Sequence, residues 1–90
     1  MSILSGQITV PTAGTAVAGP DVEGQYFALK AHPANAGAIW CGNNGNNTVD
    51  NTSGFPLDPG EGVEVFARTL AALYFDADYS GDRVCWYRVQ

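Results

Sequence analysis

The chain has 90 residues, of which 46% are hydrophobic and only 14% charged, and nine acidic against four basic side chains give a formal charge of −5. This length fits a single domain with a small core, because independent domains cluster near about 100–150 residues. The hydrophobic share excludes a disordered chain, and four scattered cations, Lys30, Arg68, Arg83 and Arg88, exclude the basic clusters that duplex nucleic acid or an anionic membrane demands of a partner.

Residues 7–10 alternate Ile8 and Val10 with Gln7 and Thr9, the period of a half-buried strand, and Pro11 stops it. Residues 1–7 are then an N-terminal arm able to reach a neighbour. The Gly- and Thr-rich stretch that follows makes no helix; residues 15–17 read as a short edge strand before the turn at Gly19-Pro20. Alternation resumes over residues 26–31, with Phe27, Leu29 and Ala31 opposite Tyr26, Ala28 and Lys30. His32-Pro33 opens a turn, since the residue before a proline is pushed out of the helical region, and residues 38–42 follow as a strand with Ile39 and Cys41 on one side and Trp40 on the other.

Residues 43–54 form a polar loop whose one apolar side chain is Val49. Loops of that length are functional or mobile more often than not. Beyond the turn Asp58-Pro59-Gly60, residues 63–66 alternate Val63 and Val65 with Glu64 and Phe66; residues 68–73 read as a loop or one helical turn, and residues 73–76 and 84–89 supply the last strands. Six to seven short strands punctuated by Gly and Pro predict an all-β fold, a small antiparallel β-sandwich or jelly-roll-like barrel spanning residues 1–90. No run approaches the roughly 20 apolar residues of a membrane span, and the N-terminus shows no secretory leader, which makes cytosolic synthesis the expectation.

The search for chemistry yields no catalytic set, no cofactor-binding motif and no metal site. Asp76, Asp78, Ser80 and Gly81 imitate the opening of a calcium loop, but Tyr87 stands where the bidentate glutamate belongs; a turn whose side chains bond nearby backbone N–H groups explains the same residues. His32 sits in a turn with no identifiable partner. Cys41 and Cys85 lie in separate strands, as free thiols or, if those strands are neighbours, as a disulfide. The N-x-Ser/Thr triplets at Asn46 and Asn51 read as coincidences of an Asn- and Thr-rich loop. In residues 84–89, Val84 and Trp86 share one face, while Cys85, Tyr87 and Val89 share the other. A strand apolar on both sides fits a sheet packed by its own core on one face and by another chain on the other.

The run Ile8-Thr-Val10, then Tyr26-Phe-Ala-Leu-Lys-Ala31 leading into Asn35-Ala-Gly-Ala-Ile-Trp-Cys-Gly42, Gly54-Phe-Pro-Leu-Asp-Pro-Gly-Glu61, Leu73-Tyr-Phe-Asp76 and Ser80-Gly-Asp-Arg-Val-Cys-Trp-Tyr87 resembles a group of small bacteriophage virion proteins. The resemblance implies a non-enzymatic capsid decoration, or cement, protein. Such a protein is made in the host cytoplasm and binds the major capsid protein on the outside of the shell as a homo-oligomer, a trimer being favoured. Tyr74, Phe75, Trp86 and Tyr87 are the expected partner interface. The alternative is a carbohydrate-binding module of a phage fibre or tail, with sugars stacking on exposed rings among Trp40, Trp86, Tyr26, Tyr74, Tyr79 and Tyr87.

Overall fold

The computed structural model describes residues 4–43 and 49–89. It is an all-β sandwich of two four-stranded antiparallel sheets. The strands are β1 (Leu4–Thr9), β2 (Val17–Ala18), β3 (Tyr26–Ala31), β4 (Ile39–Gly42), β5 (Phe55–Leu57), β6 (Gly62–Phe66), β7 (Tyr74–Ala77) and β8 (Arg83–Val89). The first sheet runs β1-β8-β3-β6 and the second β2-β7-β4-β5. Among the described residues the one helical element is a 3₁₀ turn over Leu70–Ala72, started by Thr69, whose hydroxyl accepts the Ala71 N–H. Among the described residues no helix is long and apolar enough to cross a membrane.

Eight strands stand against the six to seven expected. The added one is β5, whose central Pro56 cannot donate to a ladder and so argues against a strand in the sequence. The structure resolves this by placing β5 at the edge of the second sheet, paired only with β4. The arm is also corrected: Leu4 to Gln7 pair with Arg88 to Cys85 along β8 and belong to the sheet. Residues 1–3 lie outside the described residues, as do residues 44–48 of the long loop with the triplet at Asn46.

Alternation sets the core. Phe27, Leu29 and Ala31 of β3 and Val84 and Trp86 of β8 point inward from the first sheet; Ile39, Cys41, Leu57, Phe75 and Ala77 meet them from the second. Phe27 and Trp86 pack edge to face, with ring centroids 6.3 Å apart. Each Val, Leu, Ile or Phe side chain of this core, fully buried, contributes about 1.5–3 kcal/mol relative to exposure. Across from Trp86, β1 carries Gly6, where an added Cβ would stand 3.0 Å from the indole ring; the glycine lets the ring lie against the β1 backbone. The β5–β6 connection is a type II turn, with Pro59 fixing the second position, Gly60 at φ 87° in the third, and Glu61 N–H donating to Asp58 C=O at 2.8 Å.

Candidate binding face

The two sheets treat their outer faces differently. On the second sheet, Trp40 of β4 lies beside Asp76 of β7 and Pro56 of β5, and the chain's own loops cover this row. Gly14 N–H donates to Asp76 Oδ1 at 2.9 Å and Trp40 Nε1–H donates to Asp78 Oδ1 at 2.9 Å. Gly54 lies tightly against both Trp40 and Val49, and Val49 is only 2% exposed although it belongs to the polar loop. Asp76 is consequently buried despite its outward position.

The three carboxylates of the acidic turn diverge. Asp76 holds the loop at Gly14 and Asp78 holds Trp40, while Asp82 accepts the N–H groups of Ala36 and Gly37, each at 3.0 Å, closing the turn after β3. Asn35 completes that turn by exchanging two hydrogen bonds with the backbone of Arg83. Among the described residues no group of three or more His, Cys, Asp or Glu is arranged to hold a metal ion. His32 accepts the Ala34 N–H at Nδ1 and lies beside the Arg83 guanidinium, so its ring is part of the same turn. Asp50 caps its own loop: bonds from the Thr52 hydroxyl and backbone N–H hold its carboxyl below the usual range.

Among the described residues the first sheet's outer face has no such roof. Register places Ser5, Tyr87, Ala28 and Glu64 in one row across β1, β8, β3 and β6, with Gln7, Cys85, Lys30 and Gly62 in the next. Small residues at Ala28, Cys85 and Gly62 leave a shallow depression of ≈ 760 Å³ walled by Tyr87, Lys30 and Glu64. At its end Tyr26 and Phe66 pack ring to ring with centroids 5.3 Å apart, and Phe66 is 85% exposed. Exposed aromatics beside an apolar depression mark an interaction surface more often than an ordinary solvated one.

Of the four aromatics expected at an interface, Tyr87 is exposed on this face and Tyr74 is half-buried on the outside of the second sheet. Phe75 and Trp86 are core residues, inward-facing members of their strands, and present no surface. The burial of Trp86 also removes it as a platform for sugar stacking. Sequence reasoning names Tyr26 only among the sugar-stacking aromatics and leaves out Phe66, although the alternation of Val63 and Val65 with Glu64 and Phe66 already separates that ring from the core.

The cysteines are free and face opposite ways, Cys41 into the core from β4 and Cys85 half-buried on the bare face. Burial raises the Cys41 thiol to about 11, and its Sγ–H donates to Phe55 C=O at 3.4 Å. No family model, curated protein or solved structure matches the chain.

Proposed function

We propose that this chain is a non-enzymatic structural protein of a phage particle, a capsid decoration protein that attaches to the outer shell through the bare face of its first sheet and works in more than one copy. The observation that carries the reading is β8: its Val84 and Trp86 side is spent on the core, and its Cys85 and Tyr87 side opens onto an aromatic-rimmed depression that no described residue covers. An aromatic anchor with Lys30 and Glu64 at the rim has the composition of a protein-binding patch, in which a few aromatics carry most of the affinity. Repetition across a shell multiplies a weak single contact, so a patch this small is sufficient for stable occupancy. The carboxylates of the acidic turn are engaged by backbone N–H groups, at Asp76 and Asp82, and by the Trp40 indole N–H, at Asp78, so the reading invokes no chemistry at that end.

Particles purified from the phage encoding the chain test this by quantitative mass spectrometry. The expected result is a copy number comparable with that of the capsid subunits. A double variant Phe66→Ser, Tyr87→Ser is expected to stay folded and to lose particle binding; absence from the particle, or unchanged occupancy by this variant, overturns the assignment.

A further inference from the structure

The four strands that end the two sheets are not equivalent. β2 has two residues and β5 has three with Pro56 at its centre, so neither edge of the second sheet can template another strand. In the first sheet β1 runs six residues and β6 five, each long enough to pair. Val10 N–H donates to Asp82 C=O and His32 N–H donates to Arg83 C=O. These two bonds fix the alternation along β8: Val84 and Trp86 face β1, and Arg83 and Cys85 face β3. Leu4, Gly6 and Ile8 therefore use their backbone groups on β8, while Ser5, Gln7 and Thr9 direct N–H and C=O off the edge. On the opposite edge, the bonds of Ala31 to Glu61 and Gly60 leave Gly62, Glu64 and Phe66 pointing outward.

We propose that β1 is a docking edge for β1 of a second copy of this chain, paired antiparallel about a two-fold axis so that the two first sheets become one continuous sheet. With Gln7 on the axis, Gln7 meets Gln7 of the partner subunit and Ser5 meets Thr9 of the partner subunit, each pair exchanging both backbone hydrogen bonds. The hydroxyls of Ser5 and Thr9 then form a cross-strand pair of a stabilising kind. On the inner side Leu4, which is 43% exposed at the edge, comes to lie beside Val10 of the partner subunit.

Charge selects this edge. β1 carries no ionisable side chain, so a chain of net charge −5 meets no repulsion along it. The same construction through β6 sets Glu64 against Glu64 of the partner subunit, and like charges directly opposite are destabilising. A head-to-tail joint of β1 to β6 closes only where its rotation completes a ring and otherwise grows into a filament, whereas a two-fold contact is closed by its symmetry. The two-fold β1 contact is thus both neutral and closed. It gives the self-association proposed above a stoichiometry of two, in place of the trimer the resemblance implies, and it uses the edge while leaving the bare face free for a capsid.

The test uses the full chain in sedimentation equilibrium over a concentration series, with amide hydrogen exchange by NMR. A dimer is expected, with slowed exchange at the Ser5, Gln7 and Thr9 amides. Gln7→Pro removes an N–H that β8 does not use, so it is expected to leave a folded chain whose dimer is weakened roughly tenfold or more. The register is tested separately: S5K/T9K places like charges opposite each other and is expected to give monomers, whereas S5K/T9E places opposite charges there and is expected to keep the dimer. A monomer, trimer or polymer, fast exchange at those three amides, or a dimer indifferent to S5K/T9K overturns the proposal, and this last pair decides if Gln7→Pro does not fold. A chain that is monomeric in solution yet abundant on particles removes the edge contact and leaves capsid decoration standing; a β1 dimer missing from particles does the reverse.

Discussion

The two sheets share one core and have four strands each, yet they meet solvent in opposite ways. The second sheet is closed by its own chain: loops tied down by Asp76 and Asp78 cover its outer row, Val49 is buried there, and its edges are cut short by a two-residue strand and by Pro56. The first sheet keeps a bare, aromatic-rimmed face and two longer edges. Edges and apolar faces left open are liabilities that folds ordinarily blunt. This chain blunts them on one sheet and leaves them on the other, which is the division of surface that the proposed contacts use.

The sharpest way to break this division is along β8 itself. Trp86→Ala empties a core position and is expected to cost about 3–5 kcal/mol, enough to unfold much of a domain this small at ambient temperature, whereas Tyr87→Ala is expected to change stability by less than about 1 kcal/mol. Urea unfolding of both variants measures the contrast. Equal losses would mean that the outer face is as structural as the inner one.

The next effect separates the two thiols. Cys41 has its folded value raised above the ordinary 9.0 to about 11 by burial. The sign follows: below pH 9 the thiol is neutral in both states and its burial is tolerated, and as pH rises towards 11 the unfolded chain gains a thiolate that the folded one resists, so stability falls. The loss is at most about 2–3 kcal/mol at 1.36 kcal/mol per unit. Denaturation at pH 8 and pH 11 is expected to show it in the native chain, and Cys41→Ala to reduce it. A maleimide at pH 7.5 is expected to label Cys85 on the bare face and to spare Cys41 until the chain unfolds.

The smallest of these effects probes the roof of the second sheet. Asp76→Ala leaves the Gly14 N–H without its acceptor and is expected to cost about 1–3 kcal/mol, with Trp40 fluorescence becoming more accessible to iodide. A variant as stable as the parent, with Trp40 still shielded, would mean that the loop is held by other contacts.

Much of this architecture could be read from local pattern. Residues 26–31 were expected as a strand and are one to the residue, because Phe27, Leu29 and Ala31 alternate without interruption. Residues 84–89 alternate as well, and the split of Val84 and Trp86 from Cys85 and Tyr87 is visible in the sequence. What that pattern lacks is a direction: both sides of the strand are apolar, so nothing local says that Trp86 is inside and Tyr87 outside. The start of β1 was obscured because Ser5 and Gly6 give no hydrophobic period, and its pairing partner lies at the other end of the chain. β5 was masked by Pro56, whose cost vanishes only on an edge.

The sequence by itself determined most of the strands, the turns and the class of fold, since side-chain alternation and the backbone preferences of Gly, Pro and Asp act within a few residues. It also determined that the acidic stretch near the C-terminus is a turn. Tertiary structure decided which side of each strand is core, which loops roof the second sheet, and which edges remain open. Those outcomes depend on pairings between β1 and β8 and between β4 and β7, where residues distant along the chain compete for the same buried face.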